Sequence, residues 1–331
     1  MRLIRRAGRA ANRMLRGFGY QVIASAGRRD ASGFAPAPLP GGAEEYLRPD
    51  NPRLAELERA YAACDPRVTA PLLWRPGHVT PYDLRYFRGD NAYVWQVRDG
   101  LGELNYALTA YYVRSIDALG LLGRLEEDAL FGAHLFEAAG RQVSRDLLDS
   151  VLEIHFLERH LGLASRAGLN VLDIGAGYGR LAHRMARALP SLGSYLCVDA
   201  VAASTFLCEY YLRFRGVDDK ARAVPLDRIE EALSGRRIDL ALNIHSFPEC
   251  TVEAIGWWLD LLRRHRVPQL MLVPNPAEHS GEKLITNSGA PIEPLLAERG
   301  YRLAAKAPKY GDPVVRRHGV QPTWHYLFQA E

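Results

Sequence analysis

The sequence predicts an α/β protein: a mostly parallel, seven-stranded sheet preceded by a helical cap region. Three observations predict it. From Leu169 onward, short apolar runs alternate with amphipathic stretches, the pattern of strands and crossover helices packed on both faces of a sheet. The first of these runs ends in VLDIGAGYGR, with Asp173, Gly175, Gly177 and Gly179 spaced as D-x-G-x-G-x-G at a strand-to-helix junction. The stretch before it, 53–166, is patterned for helices instead.

Residues 1–30 form a basic amphipathic segment. In MRLIRRAGRAANRMLRGFGYQVI, Leu3, Ile4, Ala7, Ala11, Met14, Leu15 and Phe18 fall near one helical face and most arginines fall elsewhere. The first 29 residues hold eight arginines and no acid. The whole chain carries +4, so the remainder carries −4. Such a helix suits an anionic membrane surface; a solvated tail or a helix docked on a partner subunit fits the same pattern. The mildly acidic remainder speaks against a nucleic-acid partner. Residues 31–52, with Pro36, Pro38, Pro40, Gly41, Gly42, Pro49 and Pro52, read as a linker.

Within 53–166, ELNYALTAYYVRSIDALG, LEEDALFGAHLFEAAG and SRDLLDSVLEIHFLERHLG read as three helices. Gly120, Gly140 and Gly162 stand where helices end, and Ser144 where one begins. FRGDNAYVWQVR gathers Arg88, Asp90, Asn91, Tyr93 and Trp95. These planar polar groups and aromatic faces suit a sugar; a hairpin turning at Gly89-Asp90-Asn91 fits the same residues. In 167–331 the strands are LNVLDIG, SYLCVDA, RAVPL, IDLALNI, QLMLVPN, YRLAAKA and TWHYLFQ. YGRLAHRMARAL, ASTFLCEYYLRF and TVEAIGWWLDLLRR are helices between them.

At 331 residues and 48% apolar, the chain can hold a sizeable core. No apolar run is long enough to cross a membrane as a helix, and no secretory signal is expected at the N-terminus. Cys64, Cys197, Cys208 and Cys250 lie far apart. They read as reduced thiols of a cytoplasmic protein.

The glycine loop allows a tight turn and close approach of a ligand to backbone. A dinucleotide fingerprint would want its third glycine where Arg180 stands. The second strand ends in Asp199, twenty residues beyond Gly179. An acid there can accept hydrogen bonds from both ribose hydroxyls of an adenosine.

On these residues, Leu169 to Glu331 resembles the class I S-adenosylmethionine-dependent methyltransferases, whose fold is Rossmann-like. The resemblance implies that Asp173, Gly175, Gly177 and Gly179 surround the methionine moiety of S-adenosyl-L-methionine. It implies that Asp199 holds the ribose and that Asp227, in PLDRI, flanks the adenine. NIHSFPEC looks like the segment after the fourth strand in the sugar O-methyltransferases, with Asn243, Ser246, Phe247 and Glu249 matching. FRGDNAYVWQ and SRDLLDSVLEIHFLER look like the cap of that group. The implied function is methyl transfer to a hydroxyl of a sugar, glycan or glycosylated metabolite.

Methyl transfer to an alcohol needs in-line alignment and a proton acceptor. His245 is the candidate general base; Glu249 orients it, accepts a substrate hydroxyl or replaces it, and His279 is a third candidate. As a purely structural residue, His245 would cap the strand and Glu249 would favour the N-terminus of the next helix. Asn243 holds the methionine end or the substrate, and Asn275 the substrate. Glu249, Glu278 and His279 could share a divalent ion, but no compact ligand spacing supports one. The open alternatives are a non-sugar hydroxyl or amine as acceptor, or a non-catalytic adenosyl-binding partner subunit. A homo-oligomer is compatible with the sequence, as is a position at the inner face of the membrane through residues 1–29.

Overall fold

A computed structural model of the chain describes residues 39–69, 72–75, 77–97, 101–275 and 281–331. The basic segment 1–30 lies outside them. The N-terminal part runs through α1 (Ala43–Tyr46), α2 (Pro52–Ala62), α3 (Pro66–Thr69), α4 (Pro81–Arg85), α5 (Glu103–Ile116) and α6 (Leu121–Arg124). A hairpin, β1 (Phe136–Ala138) and β2 (Arg141–Val143), precedes the long helix α7 (Arg145–Leu161). Then follow β3 (Leu169–Ile174), α8 (Arg180–Ala188), β4 (Leu192–Val198), α9 (Ala202–Phe214), β5 (Ala221–Val224) and α10 (Ile229–Leu233). The chain continues through β6 (Leu240–Ile244), α11 (Val252–Arg264), β7 (Gln269–Val273), α12 (Glu293–Glu298), β8 (Tyr301–Pro308), α13 (Pro313–His318) and β9 (Trp324–Ala330).

All seven expected strands are present, in the order β5-β4-β3-β6-β7-β9-β8. Only β9 runs against its neighbours, antiparallel to both β7 and β8. The chain moves outward from β3 to β4 and β5, then returns to place β6 on the other side of β3. That reversal opens a crevice at the carboxyl ends of β3 and β6, where open α/β sheets bind ligands. This is the Rossmann-like architecture the alternating pattern predicts.

The helix ends follow local chemistry. Ser144 accepts from the Leu147 amide at 3.1 Å, and Gly162 closes α7 in a left-handed conformation. Thr251 caps α11 through the Ala254 amide at 3.2 Å. Among the described residues no helix is long and apolar enough to cross a membrane.

Two expectations need correction. LEEDALFGAHLFEAAG is not a helix: it holds a short turn at Leu130–Gly132, then β1 and the turn that leads into β2. Ala139 and Gly140, at φ of 53° and 76°, form its two-residue turn, so Gly140 ends no helix. Tertiary charge pairing overrides helical propensity here. Glu127 accepts from Arg88 and Arg184, and Asp128 from Arg88 and Arg215.

The second concerns the stretch taken as a linker. From Leu39 onward it belongs to the same compact unit as the sheet. Ala43 and Leu47 are fully buried, and Tyr46 stacks on Phe206 of α9 with ring centroids 5.2 Å apart. Asn51 caps α2, Arg53 pairs with Glu209 of α9 at 2.5 Å, and the Tyr61 hydroxyl meets Thr205 at 2.7 Å. The helical region is thus strapped over α9. Leu47→Ala should cost about 2–5 kcal/mol, as for other buried leucines, measured by denaturant unfolding. A spacer would lose nothing.

Candidate active site

The loop between β3 and α8 approaches the loop after β6 so closely that only glycine fits. Gly175 has φ of +73°, and a Cβ there would lie 2.3 Å from both Cβ and Oγ of Ser246. Gly179, at φ of +85°, serves packing instead: its Cβ would lie 2.9 Å from Cys208 Sγ, where α8 meets α9. Gly177 lines the cavity that the loops enclose, and its amide donates to Asp199 Oδ2 at 3.0 Å.

Two buried carboxyls stand at the strand ends and face this cavity of about 510 Å³. Asp173, on β3, accepts from the Tyr195 hydroxyl at 2.7 Å. Burial lifts its carboxyl to about 7 against that hydrogen bond. Asp199, just past β4, also accepts from the Val201 amide at 2.8 Å. Burial lifts it to about 6, and the nearby Glu249 adds to the rise. Neither forms an ion pair among the described residues. Each keeps acceptor capacity that a ligand's hydroxyls or ammonium can use. This donor-seeking pair fits S-adenosyl-L-methionine, which carries both kinds of group.

The turn after β6 supplies the opposite wall. Asn243 is buried, and it is used within the fold: Nδ2 donates to the Ile174 carbonyl and Oδ1 accepts from the Phe247 amide, both at 2.8 Å. It fastens the ends of β3 and β6 together. His245 sits at φ of +67°, unusual for a residue with a Cβ. Its amide donates to the Val273 carbonyl at 2.7 Å, and Nδ1 lies 3.2 Å from the Pro274 carbonyl. A carbonyl can only accept, so the neutral ring carries its proton on Nδ1 and leaves the Nε2 lone pair unused. Burial, and then the Arg145 cation, push the imidazole down to about 3.

Glu249 is held from two sides. Trp74 Nε1 donates to Oε2 at 2.5 Å and Asn275 Nδ2 to Oε1 at 3.0 Å. Asn275 also donates to the His245 carbonyl at 3.1 Å, which ties the two candidate bases into one network. Burial raises the Glu249 carboxyl above its ordinary value although both donors work against it.

The cavity therefore brings together Asp173, Gly175, Gly177, Asp199, His245, Glu249, Asn275, Tyr93 and Trp95. The structure does not bring the other expected residues to it. Arg88 is fully buried among Glu127, Asp128 and Asp146. Asp90 accepts from the Gln96 amide, and Asn91 from the amides of Tyr93 and Val94. These three residues shape the loop that presents Tyr93 and Trp95; no hairpin forms there. Asp227 is exposed and lies 3.4 Å from Arg228. Glu278 and His279 lie outside the described residues. Among those described, no group of three His, Cys, Asp or Glu side chains could hold a metal ion.

Trp74, Arg145 and Tyr178 also line the cavity and escaped sequence reasoning. Trp74 meets Glu249 across 175 positions of sequence, which periodicity cannot reveal. Arg145 left a trace: an arginine directly after a helix cap opposes the helix dipole.

No protein-family model matches the sequence, and no curated protein matches it. Among solved structures, the chain is similar to the methyltransferase domain of bacterial CtHen1-CN, with 13% identity and a TM-score of 0.41 over 54% of this chain and 95% of that one. It is similar to the StiE O-MT, with 14% identity and a TM-score of 0.39 over 54% and 73%. It is also similar to the cyclase SpnF, with 14% identity and a TM-score of 0.39 over 68% and 96%. At these values none bears on reaction or acceptor, and the Rossmann-like fold rests on the strand order itself.

Gly175→Ala should lower the melting temperature by several degrees. The left-handed backbone alone costs about 1–2 kcal/mol, and the contact with Ser246 adds to it. An unchanged melting temperature would show that the two loops do not meet as described.

Proposed function

We propose that the chain is an S-adenosyl-L-methionine-dependent methyltransferase that methylates a hydroxyl of a sugar, glycan or glycosylated metabolite. One observation carries the reading: two buried carboxyls, Asp173 and Asp199, without an ion pair among the described residues, face one cavity at the switch point of the sheet. In this reading Asp199 accepts from the ribose hydroxyls and Asp173 stands at the ammonium end. The bound donor supplies an electrophilic methyl group.

The opposite wall supports a sugar acceptor. Trp74, Tyr93 and Trp95 offer flat apolar faces, and Glu249, Asn275 and Asn287 offer planar polar groups. Aromatic faces pack on the C–H faces of a sugar ring while the polar groups take its hydroxyls.

Two groups can take the hydroxyl proton. The surroundings of His245 disfavour the imidazolium that proton transfer would create there. Burial makes Glu249 a stronger base than an exposed carboxylate, and Trp74 and Asn275 fix its direction. Glu249 is therefore the favoured base, with His245 accepting a hydroxyl through Nε2.

A screen of sugar acceptors with methyl-labelled donor tests the reading. Label on a sugar hydroxyl is the expected result; label only on phenols or amines would remove the sugar. On the accepted substrate, Glu249→Gln should reduce turnover about a hundredfold or more and leave the affinity for S-adenosylhomocysteine nearly unchanged. The rate should fall as the pH drops through the raised Glu249 value, and that limb should vanish in the variant. An imidazole near 3 gives no limb in the neutral range. A larger loss in His245→Ala than in Glu249→Gln would return the role of base to the histidine.

A further inference from the structure

The wall of the cavity beside His245 holds a cation that the proposed chemistry leaves unused. Arg145, the first residue of α7, is only 9% exposed, yet it lines the cavity. Its Nε donates to Asp149 Oδ2 at 3.1 Å and its Nη1 to the Trp95 carbonyl at 2.7 Å. Its Nη2 makes no hydrogen bond among the described residues, and it is not among the buried polar atoms sealed away without a partner. The guanidinium thus keeps a donor nitrogen without a protein partner in a residue that lines the cavity.

Arg145 belongs to a buried cluster of charged side chains. Asp149 serves two cations, because Lys309 Nζ lies 2.6 Å from its other oxygen. Lys309 is itself fastened to the carbonyls of Val320 and Gln321 at 2.9 and 3.1 Å. Arg180 is matched by Glu153 through bonds of 2.9 and 2.8 Å. Three largely buried cations thus share Asp149 and Glu153, with the Asp173 carboxyl also near Arg180. Arg145 is the cation that acts most strongly on His245, whereas Arg180 is the one that acts on Asp173. The Arg145 guanidinium therefore stands nearer to His245 than to Asp173, the carboxyl proposed for the donor's ammonium.

We propose, resting on the methyltransferase reading, that Arg145 determines acceptor specificity by binding an oxyanion of the acceptor. The acceptor is then an acidic sugar, carrying a carboxylate or a phosphate close to the hydroxyl that is methylated. A guanidinium with one end fixed by Asp149 and Trp95 is preorganised for such a group. The carboxylate of the methyl donor offers the same chemistry, so the experiment must separate the two.

Calorimetry with matched neutral and acidic sugars does so: glucose against glucuronate and glucose 6-phosphate, and galactose against galacturonate. Each is titrated with and without saturating S-adenosylhomocysteine. At least one acidic sugar should bind the wild-type protein about tenfold or more tightly than its neutral counterpart, the size of one hydrogen bond between charged groups. Arg145→Gln should erase that preference and leave the affinity for S-adenosylhomocysteine unchanged; Arg145→Lys should keep part of it. Circular dichroism checks that the variants fold. Equal binding of acidic and neutral sugars, or binding of neither, overturns the proposal without using a variant. A tenfold loss of S-adenosylhomocysteine affinity in Arg145→Gln, with the sugar preference intact, overturns it by giving the guanidinium to the donor. No binding of S-adenosylhomocysteine to the wild-type protein would defeat the methyltransferase reading alone, since the sugar preference is also read without it.

Discussion

The burial of two carboxyls at the ends of β3 and β4 is the constraint on which the rest depends. Among the described residues Asp173 and Asp199 form no ion pair, and a buried carboxylate is costly unless donors surround it. The hydrogen bonds they accept among the described residues come from neutral donors, the Tyr195 hydroxyl and the amides of Gly177 and Val201 among them. Both groups therefore hold their protons more tightly in the folded chain than in the unfolded one. Their contribution to stability is largest at low pH and declines as the pH rises from about 4 through about 6 and 7. A ligand bearing hydroxyls and an ammonium reverses that trend by supplying the missing donors. Strain of this kind belongs to a binding site rather than to a core designed only to be stable.

The surrounding architecture keeps those two carboxyls within reach of the proposed base. Asn243 joins the ends of β3 and β6, Gly175 lets the two loops touch, and Asn275 holds His245 and Glu249 in one network. Trp74 then brings the helical region onto Glu249, while the Tyr93 hydroxyl reaches Ser204 at 3.3 Å. The cap and the sheet share one cavity because side chains from both complete it.

The sheet was legible in the sequence because buried parallel strands read as short apolar runs, and all seven runs join one sheet. The glycine loop and Asp199 were legible because their chemistry sits at fixed positions along one strand–loop–helix–strand unit. What failed was set by long-range contacts. Residues 125–140 have helical composition, but Arg88, Arg184 and Arg215 pull Glu127 and Asp128 into an irregular turn. Prolines and glycines before Asn51 look like a spacer, but Ala43 and Leu47 are packed in the core. Arg88 looked like a sugar ligand because its three acidic partners lie 39 to 58 positions away. Arg145 was missed because lining a cavity is a tertiary property, although its place directly after a helix cap left a trace.

Proton release on ligand binding tests the central claim most directly. S-adenosylhomocysteine is titrated into the protein near pH 6 in two buffers of different ionisation enthalpy, and again well above pH 7. If buried carboxyls await the ligand's donors, binding near pH 6 releases a measurable fraction of a proton, little is released at the higher pH, and Asp199→Ala releases less than the wild-type protein. Binding that releases no proton near pH 6, or no binding at all, would contradict the account.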